Sequence, residues 1–281
     1  MVVIHSMTQA TILMVITVYV LFFLSLKRHP LYPFKAAGLF VHELFTNRKY
    51  LLHFLGMVVI LIFNKIEISL ENSRKHQSDF TPYFFHWEGN FVSIFQKLFE
   101  NDVLTAVLTF IYVVVFPVLM IASIGIYTYE RDYKLVYAVC YGLMFNYMIA
   151  IPFYLLFPVT EVHAFNPNVR FLMLDAFPTF ENEYRPLSDL DNCFPSLHTS
   201  ISMTMALIAL KSTNRFWKYF VPTCAVAIIF SIFYLGVHWV TDMFGGLLLA
   251  FVAARLSLRI AEGRTIFGGA PISSKKRNMD G

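Results

Sequence analysis

Seven apolar stretches punctuate the chain, at roughly 9–26, 50–66, 103–128, 134–157, 196–211, 216–236 and 238–257. A helix needs about 20 apolar residues to cross the ~30 Å hydrocarbon layer, and most of these runs approach that length. The fifth is short and the sixth and seventh nearly touch, so six or seven crossings are expected. Only 14% of the 281 residues are charged, against about a quarter in soluble domains. The expectation is therefore an all-α, polytopic membrane bundle, a single domain over residues 1–262. The Gly-rich, polar segment 263–281 reads as a flexible cytoplasmic tail. The first run has no Lys or Arg before it, ends at "LKRHP" and lacks a small-residue cleavage site, which fits an uncleaved anchor rather than a signal peptide.

Cytoplasmic loops of membrane proteins carry an excess of Lys and Arg. Assigning the loop after the first run to that side gives it Lys27, Arg28, Lys35, Arg48, Lys49, Arg131, Lys134, Lys211, Arg215, Lys218 and six more from Arg255 to Arg277. The other side keeps Lys65, Arg74, Lys75, Lys97, Arg170 and Arg185. This bias places the N-terminus outside and the C-terminus in the cytoplasm. Within 87–104, Phe91, Ile94, Phe95, Leu98 and Phe99 share one helical face, while Glu88, Ser93, Lys97 and Glu100 lie elsewhere on the wheel, as in a helix lying in the interface. The segment 31–47 reads as a weaker counterpart on the cytoplasmic side. No basic patch interleaved with aromatics points to nucleic acid, and Cys140, Cys193 and Cys224 form no metal-type spacing.

The polar residues of interest stand at the mouths of apolar runs on the outer side. "FPSLH" (Phe194 to His198) opens one run, and "HWVTD" (His238 to Asp242) opens another. On a helix, His238 and Asp242 would emerge on one face. The carboxylate could then fix the imidazole tautomer and leave the other nitrogen free to attack. Proline is tolerated in a first helical turn, so Pro195 marks a helix start whose N–H groups, from Ser196 to His198, would favour an anion. Two helix mouths, two histidines, one carboxylate and one hydroxyl thus converge from segments forty residues apart.

"PSLH" (Pro195 to His198) followed by "SIFYLGVHWVTD" (Ser231 to Asp242) resembles the type 2 phosphatidic acid phosphatase superfamily of membrane lipid phosphatases and phosphotransferases. The resemblance covers about 103–257. It implies that His238 attacks phosphorus to give a phosphohistidine, that Asp242 orients it, and that His198 protonates the departing oxygen. Ser196 and nearby N–H groups would hold non-bridging oxygens, and no metal or organic cofactor is implied. The substrate would be a membrane lipid phosphate, met at the extracytoplasmic face.

Three positions depart from the family pattern. Leu197 stands for a glycine, Ile232 for an arginine, and Pro178 for the lysine that should precede Arg185-Pro186. With "FPSLH" and the lost arginine, the wording is similar to the inositolphosphotransferase branch, which includes inositol phosphorylceramide synthase. The missing cations must come from elsewhere. Arg170 and Arg185 are the basic residues of the outer loop before "FPSLH", and a planar guanidinium suits phosphate oxygens, so both are candidate substrate ligands. The alternative is a transporter or lipid-binding protein whose His/Asp cluster lines a pathway. Against it, the middles of the runs carry almost no charge.

Overall fold

A computed structural model describes residues 1–71 and 79–264. Residues 265–281, nearly all of the expected tail, lie outside the described residues, as do Arg74 and Lys75 of the charge count. The fold is all-α. Its helices are α1 (Met7–Ser25), α2 (Tyr32–Thr46), α3 (Arg48–Glu71), α4 (Thr81–Glu88), α5 (Phe91–Phe99), α6 (Asp102–Phe110), α7 (Phe116–Tyr129) and α8 (Tyr133–Leu156). The short α9 (Val162–Phe165), α10 (Met173–Ala176) and α11 (Phe180–Glu183) follow, then α12 (Leu197–Ala209), α13 (Arg215–Tyr234) and α14 (Val240–Ala261). A π-helical turn, Ile111–Val115, joins α6 to α7 in one continuous rod. Ser6, Asn101, Asp132, Ser196 and Asn214 cap their helices by accepting first-turn N–H groups.

Among the described residues, six helices are long and apolar enough to cross a membrane: α1, α3, the α6–α7 rod, α8, α13 and α14. The chain is a multi-pass integral membrane protein. The fifth expected run becomes α12, with only 13 residues. That is about 20 Å of helix, two-thirds of the hydrocarbon thickness.

The exterior is greasy and part of the interior is polar. Val15, Ile94, Leu98 and Leu248 are largely exposed, while Asn146, Ser200, Thr204 and Asp242 are wholly buried. Lipid gives apolar helices no reason to segregate from it, so small residues and interhelical hydrogen bonds hold such bundles together. Asn146 Nδ2 of α8 donates to Thr204 Oγ1 of α12 at 3.1 Å. At Gly246 an added Cβ would lie 2.6 Å from the Ser196 carbonyl, so α14 needs glycine there to approach the mouth of α12.

The amphipathic stretch at 87–104 breaks into α4 and α5 at Gly89. The protein-facing side of α5 is Val92, Ser93 and Gln96, whereas Ile94 and Leu98 face outward. Ser93 of the expected polar residues is thus buried, and beside it Gln96 is buried with backbone partners. Gln96 Nε2 donates to the carbonyls of Arg170 and Tyr234 at 2.8 and 2.9 Å, and Gln96 Oε1 accepts the Arg170 N–H at 3.0 Å.

The extended residues 159–161 and the first turn of α9 stitch together the loop between α8 and α12. Cys193 N–H donates to the Val159 carbonyl and Val159 N–H to that of Asp191; Val162 and His163 donate to the carbonyls of Val237 and Gly236. Gly236, at φ +81°, turns the chain out of α13 in a left-handed conformation natural to glycine. The loop before α12 and the loop before α14 are thereby held against one shared strip of backbone.

The mouth of α14 is not open. The Glu88 carboxylate of α4 accepts the N–H groups of Val240 and Thr241 at 2.6 and 2.7 Å. A negative group suits a helix N-terminus, although burial pushes the Glu88 carboxyl above its usual range. Glu88→Ala should lower unfolding free energy by about 2–3 kcal/mol through loss of these charge-assisted bonds, read from denaturant unfolding in detergent. An unchanged midpoint would show that α4 does not brace α14.

Candidate active site

His238 and Asp242 do not sit side by side on a helix, as their spacing suggested. The helix begins at Val240, Trp239 is its N-cap, and Asp242 occupies the third position of the first turn. The Asp242 carboxylate folds back to accept the Trp239 N–H at 2.8 Å, and the same oxygen, Oδ2, lies 3.3 Å from His238 Nδ1. The pairing survives because N-cap geometry reaches back as well as a helix face does. Both residues are buried, Asp242 completely. The Cys193 Sγ also lies 3.3 Å from His238 Nδ1. Burial raises the Cys193 thiol well above its ordinary range, so it faces the imidazole as a neutral thiol.

The other mouth also starts later than expected. Pro195 precedes the cap rather than entering the helix, and Ser196 is the N-cap of α12. Its Oγ accepts the Thr199 N–H at 3.3 Å and its own N–H donates to the Asp242 carbonyl at 3.1 Å. Ser196 therefore joins the two mouths, and its side chain is fully buried. Tyr154 of α8 donates to the Pro195 carbonyl at 2.9 Å, fixing the same turn from the other side.

His198 meets His238 across a cavity of about 140 Å³ that both line, their ring centroids 6.0 Å apart. Its ring is clamped from the π-helical turn. Tyr112 stacks on it at 4.0 Å, with its hydroxyl 3.3 Å from Nδ1, and Phe116 packs at 4.5 Å. π-Turns recur at functional sites, and this one sets Tyr112 and Phe116 against one imidazole. His198 Nε2 is buried with no hydrogen-bond partner among the described residues, as is Asp242 Oδ1.

The two candidate arginines part company. Arg170 is 60% exposed and pairs with Glu100 and, at 2.9 Å, with Asp175, away from the cavity. Its backbone is pinned to Gln96 of α5, which aims its side chain at the exposed carboxylates. Arg185 is mostly buried. It forks onto Glu161 at 2.7 and 3.0 Å and onto Glu181 at 3.0 Å, with Phe171 and Phe180 against its guanidinium. Glu161 itself lines the cavity, so Arg185 stands one carboxylate behind it. Burial raises the Glu161 carboxyl, against the pull of Arg185. His163 stacks on Phe171, and burial first, then Arg185, lowers it to about 4, so it is neutral near pH 7. Ile232, at the family's arginine position, is fully buried in the core.

Sequence reasoning missed Tyr112, Glu161 and Glu88. Each belongs to an element distant along the chain, and no spacing rule connects it to the mouths it serves. One further set is noteworthy chemically. Cys193, His238 and Asp242 bring a thiol, an imidazole and a carboxylate within 4.8 Å of one another, a combination able to ligate a soft divalent ion.

Residues 163–266 match the PAP2 superfamily. A segment of 63 residues, 22% of the chain, is 43% identical to a protein of Escherichia coli (strain K12), YbjG, that is named as an undecaprenyl-diphosphatase. The match spans 31% of that relative's length. No solved structure matches the chain. Both helix mouths lie inside residues 163–266, the segment that is similar to the PAP2 superfamily, the type 2 phosphatidic acid phosphatases.

Proposed function

We propose that this protein is a membrane enzyme that cleaves or transfers a phosphate ester of a lipid through a phosphohistidine on His238. The observation that carries the reading is the facing pair of imidazoles, 6.0 Å apart over one cavity, with Asp242 behind His238. The carboxylate holds the proton on Nδ1, leaving the Nε2 lone pair for phosphorus. As the P–N bond forms, the P–O ester bond breaks, and its electron pair leaves on an oxygen that takes the proton from His198 Nε2. Water or an alcohol then gives a proton to His198 and attacks phosphorus, returning the P–N electron pair to His238. The charge bias along the sequence supports an extracytoplasmic site.

Hydrolysis is the first reading, in line with the name carried by the Escherichia coli relative. Transfer to a lipid alcohol, as in an inositolphosphotransferase, is the second, favoured by "FPSLH" and by Ile232 in place of arginine. Purified protein given labelled lipid phosphate and candidate alcohols should release labelled inorganic phosphate. Label recovered only in a new lipid would establish transfer, and no product of either kind would overturn both readings. Asp242→Asn should lower kcat by about 10²–10⁴-fold while leaving expression intact; near-normal turnover would sink the assignment. Activity should survive EDTA and be blocked by vanadate. Loss to EDTA would instead move the chemistry to the Cys193–His238–Asp242 set.

Phosphate binding carries a pH signature. An ionised Glu161 neutralises Arg185 and sets a negative charge in the cavity, so it opposes a phosphate. Because burial raises its carboxyl, protonation as pH falls removes that charge and releases the Arg185 Nη1 from its partner, and KM should fall with it. Glu161→Gln should lower KM and flatten this limb. Arg185→Ala should raise KM by about tenfold or more, the scale of one lost charge-assisted contact. A limb that persists in Glu161→Gln would assign it to another group, the substrate phosphate included.

A further inference from the structure

Beneath the histidine cavity lies a second, larger one. It has a volume of about 520 Å³ and is walled almost wholly by apolar side chains of α1, α2, α3, α7 and α8. The size falls within the roughly 300–1,000 Å³ typical of ligand pockets. The two cavities are stacked along the same helices. Tyr147 of α8 lines both. On α3, Asn64 faces the upper cavity and Leu61, three residues earlier, the lower; on α7, Phe116 lines the upper and Pro117 the lower. From Asn64 down to Phe54 at the lower end is ten residues, about 15 Å of helix, half of the ~30 Å hydrocarbon thickness. Polar lining thus gives way to apolar lining within one helical turn.

That layout has the polarity of an amphiphile. From it we propose that the lower chamber receives one hydrocarbon chain of the same lipid whose phosphate lies between His198 and His238. The proposal rests on the phosphate-ester reading above and adds what the substrate must carry: a long chain that enters the bundle rather than staying in the surrounding bilayer. Water gains little in so apolar a cavity, and Tyr147 forms a wall common to the chamber and to the cavity where a lipid phosphate would be anchored. It is bounded by α1–α3 as well as by α7 and α8, all outside the segment that matches the superfamily. Chain selection would therefore be a property of this protein's own N-terminal half. The occupant is held by shape rather than by escape from water, since the bilayer offers the chain an equally apolar home.

The test compares hexadecyl phosphate with butyl phosphate on the full chain in detergent. Unmodified protein should favour the hexadecyl ester in kcat/KM. Val58→Trp and Ala37→Trp, which fill the chamber, should each reduce the hexadecyl-to-butyl ratio by about tenfold or more, the scale on which pockets discriminate chain length. An unchanged ratio overturns the proposal; failure of unmodified protein to turn over either ester, by hydrolysis or by transfer to an added alcohol, overturns the phosphate-ester reading instead. Photolabelling of unmodified protein in phosphatidylcholine vesicles gives an answer independent of variant folding. Hexadecyl phosphate with a terminal diazirine should label Met57, Leu61, Met120 or Ile121. Labelling confined to other helices would defeat the assignment. So would equal labelling of these residues by a diazirine-bearing phosphatidylcholine, because the chamber would then hold ordinary bilayer lipid.

Discussion

The arrangement depends on the junction of two helix mouths around Asp242. Its carbonyl accepts the Ser196 N–H that begins α12, and its carboxylate accepts the Trp239 N–H that begins α14 while standing 3.3 Å from His238 Nδ1. A fully buried carboxylate in a greasy bundle is costly unless such partners surround it. The partners that meet this cost are also the groups that set the two histidines. Gly246 makes the junction possible by letting α14 approach the Ser196 carbonyl, and the 159–163 segment holds both incoming loops against it. The packing of the two helix mouths and the geometry of the candidate site therefore share one set of hydrogen bonds.

Around that junction the charges are arranged to be shielded from one another. Glu88 closes the mouth of α14, so only the α12 mouth opens beside the cavity. Glu161 lies at the cavity wall with Arg185 behind it, and Glu181 takes the rest of the guanidinium. The family's lysine and arginine are replaced by Pro178 and a buried Ile232. A nearby cation, already paired, stands where it could serve once its carboxylate is neutralised.

The broad fold was legible because lipid imposes a length and a composition on every crossing helix, and the runs at 50–66 or 134–157 cannot satisfy those limits in another form. His198, His238 and Asp242 were legible because ionisable groups at the mouths of apolar runs are rare enough to stand out. Details of the same residues were less so. Spacing put Asp242 on a helical face with His238, whereas the helix begins two residues later and a cap makes the contact. Pro195 announced a helix start but lies just outside it, because Ser196 is the better N-cap. Tyr112, Glu88 and Glu161 could not be read at all, since their roles arise from contacts that span 24 residues for Glu161–Arg185, 86 for Tyr112–His198 and 152 for Glu88–Val240. Arg170 and Arg185 looked alike in sequence, and burial separates them: Arg170 lies mostly exposed beside Asp175, whereas Arg185 is buried against Glu161.

The most direct test of the central claim is to trap the covalent intermediate. Protein mixed with ³²P-labelled lipid phosphate, quenched in alkali within the first turnover and mapped by peptide, should carry acid-labile label on His238. Turnover without protein-bound phosphorus, or label on His198 instead, would contradict the account.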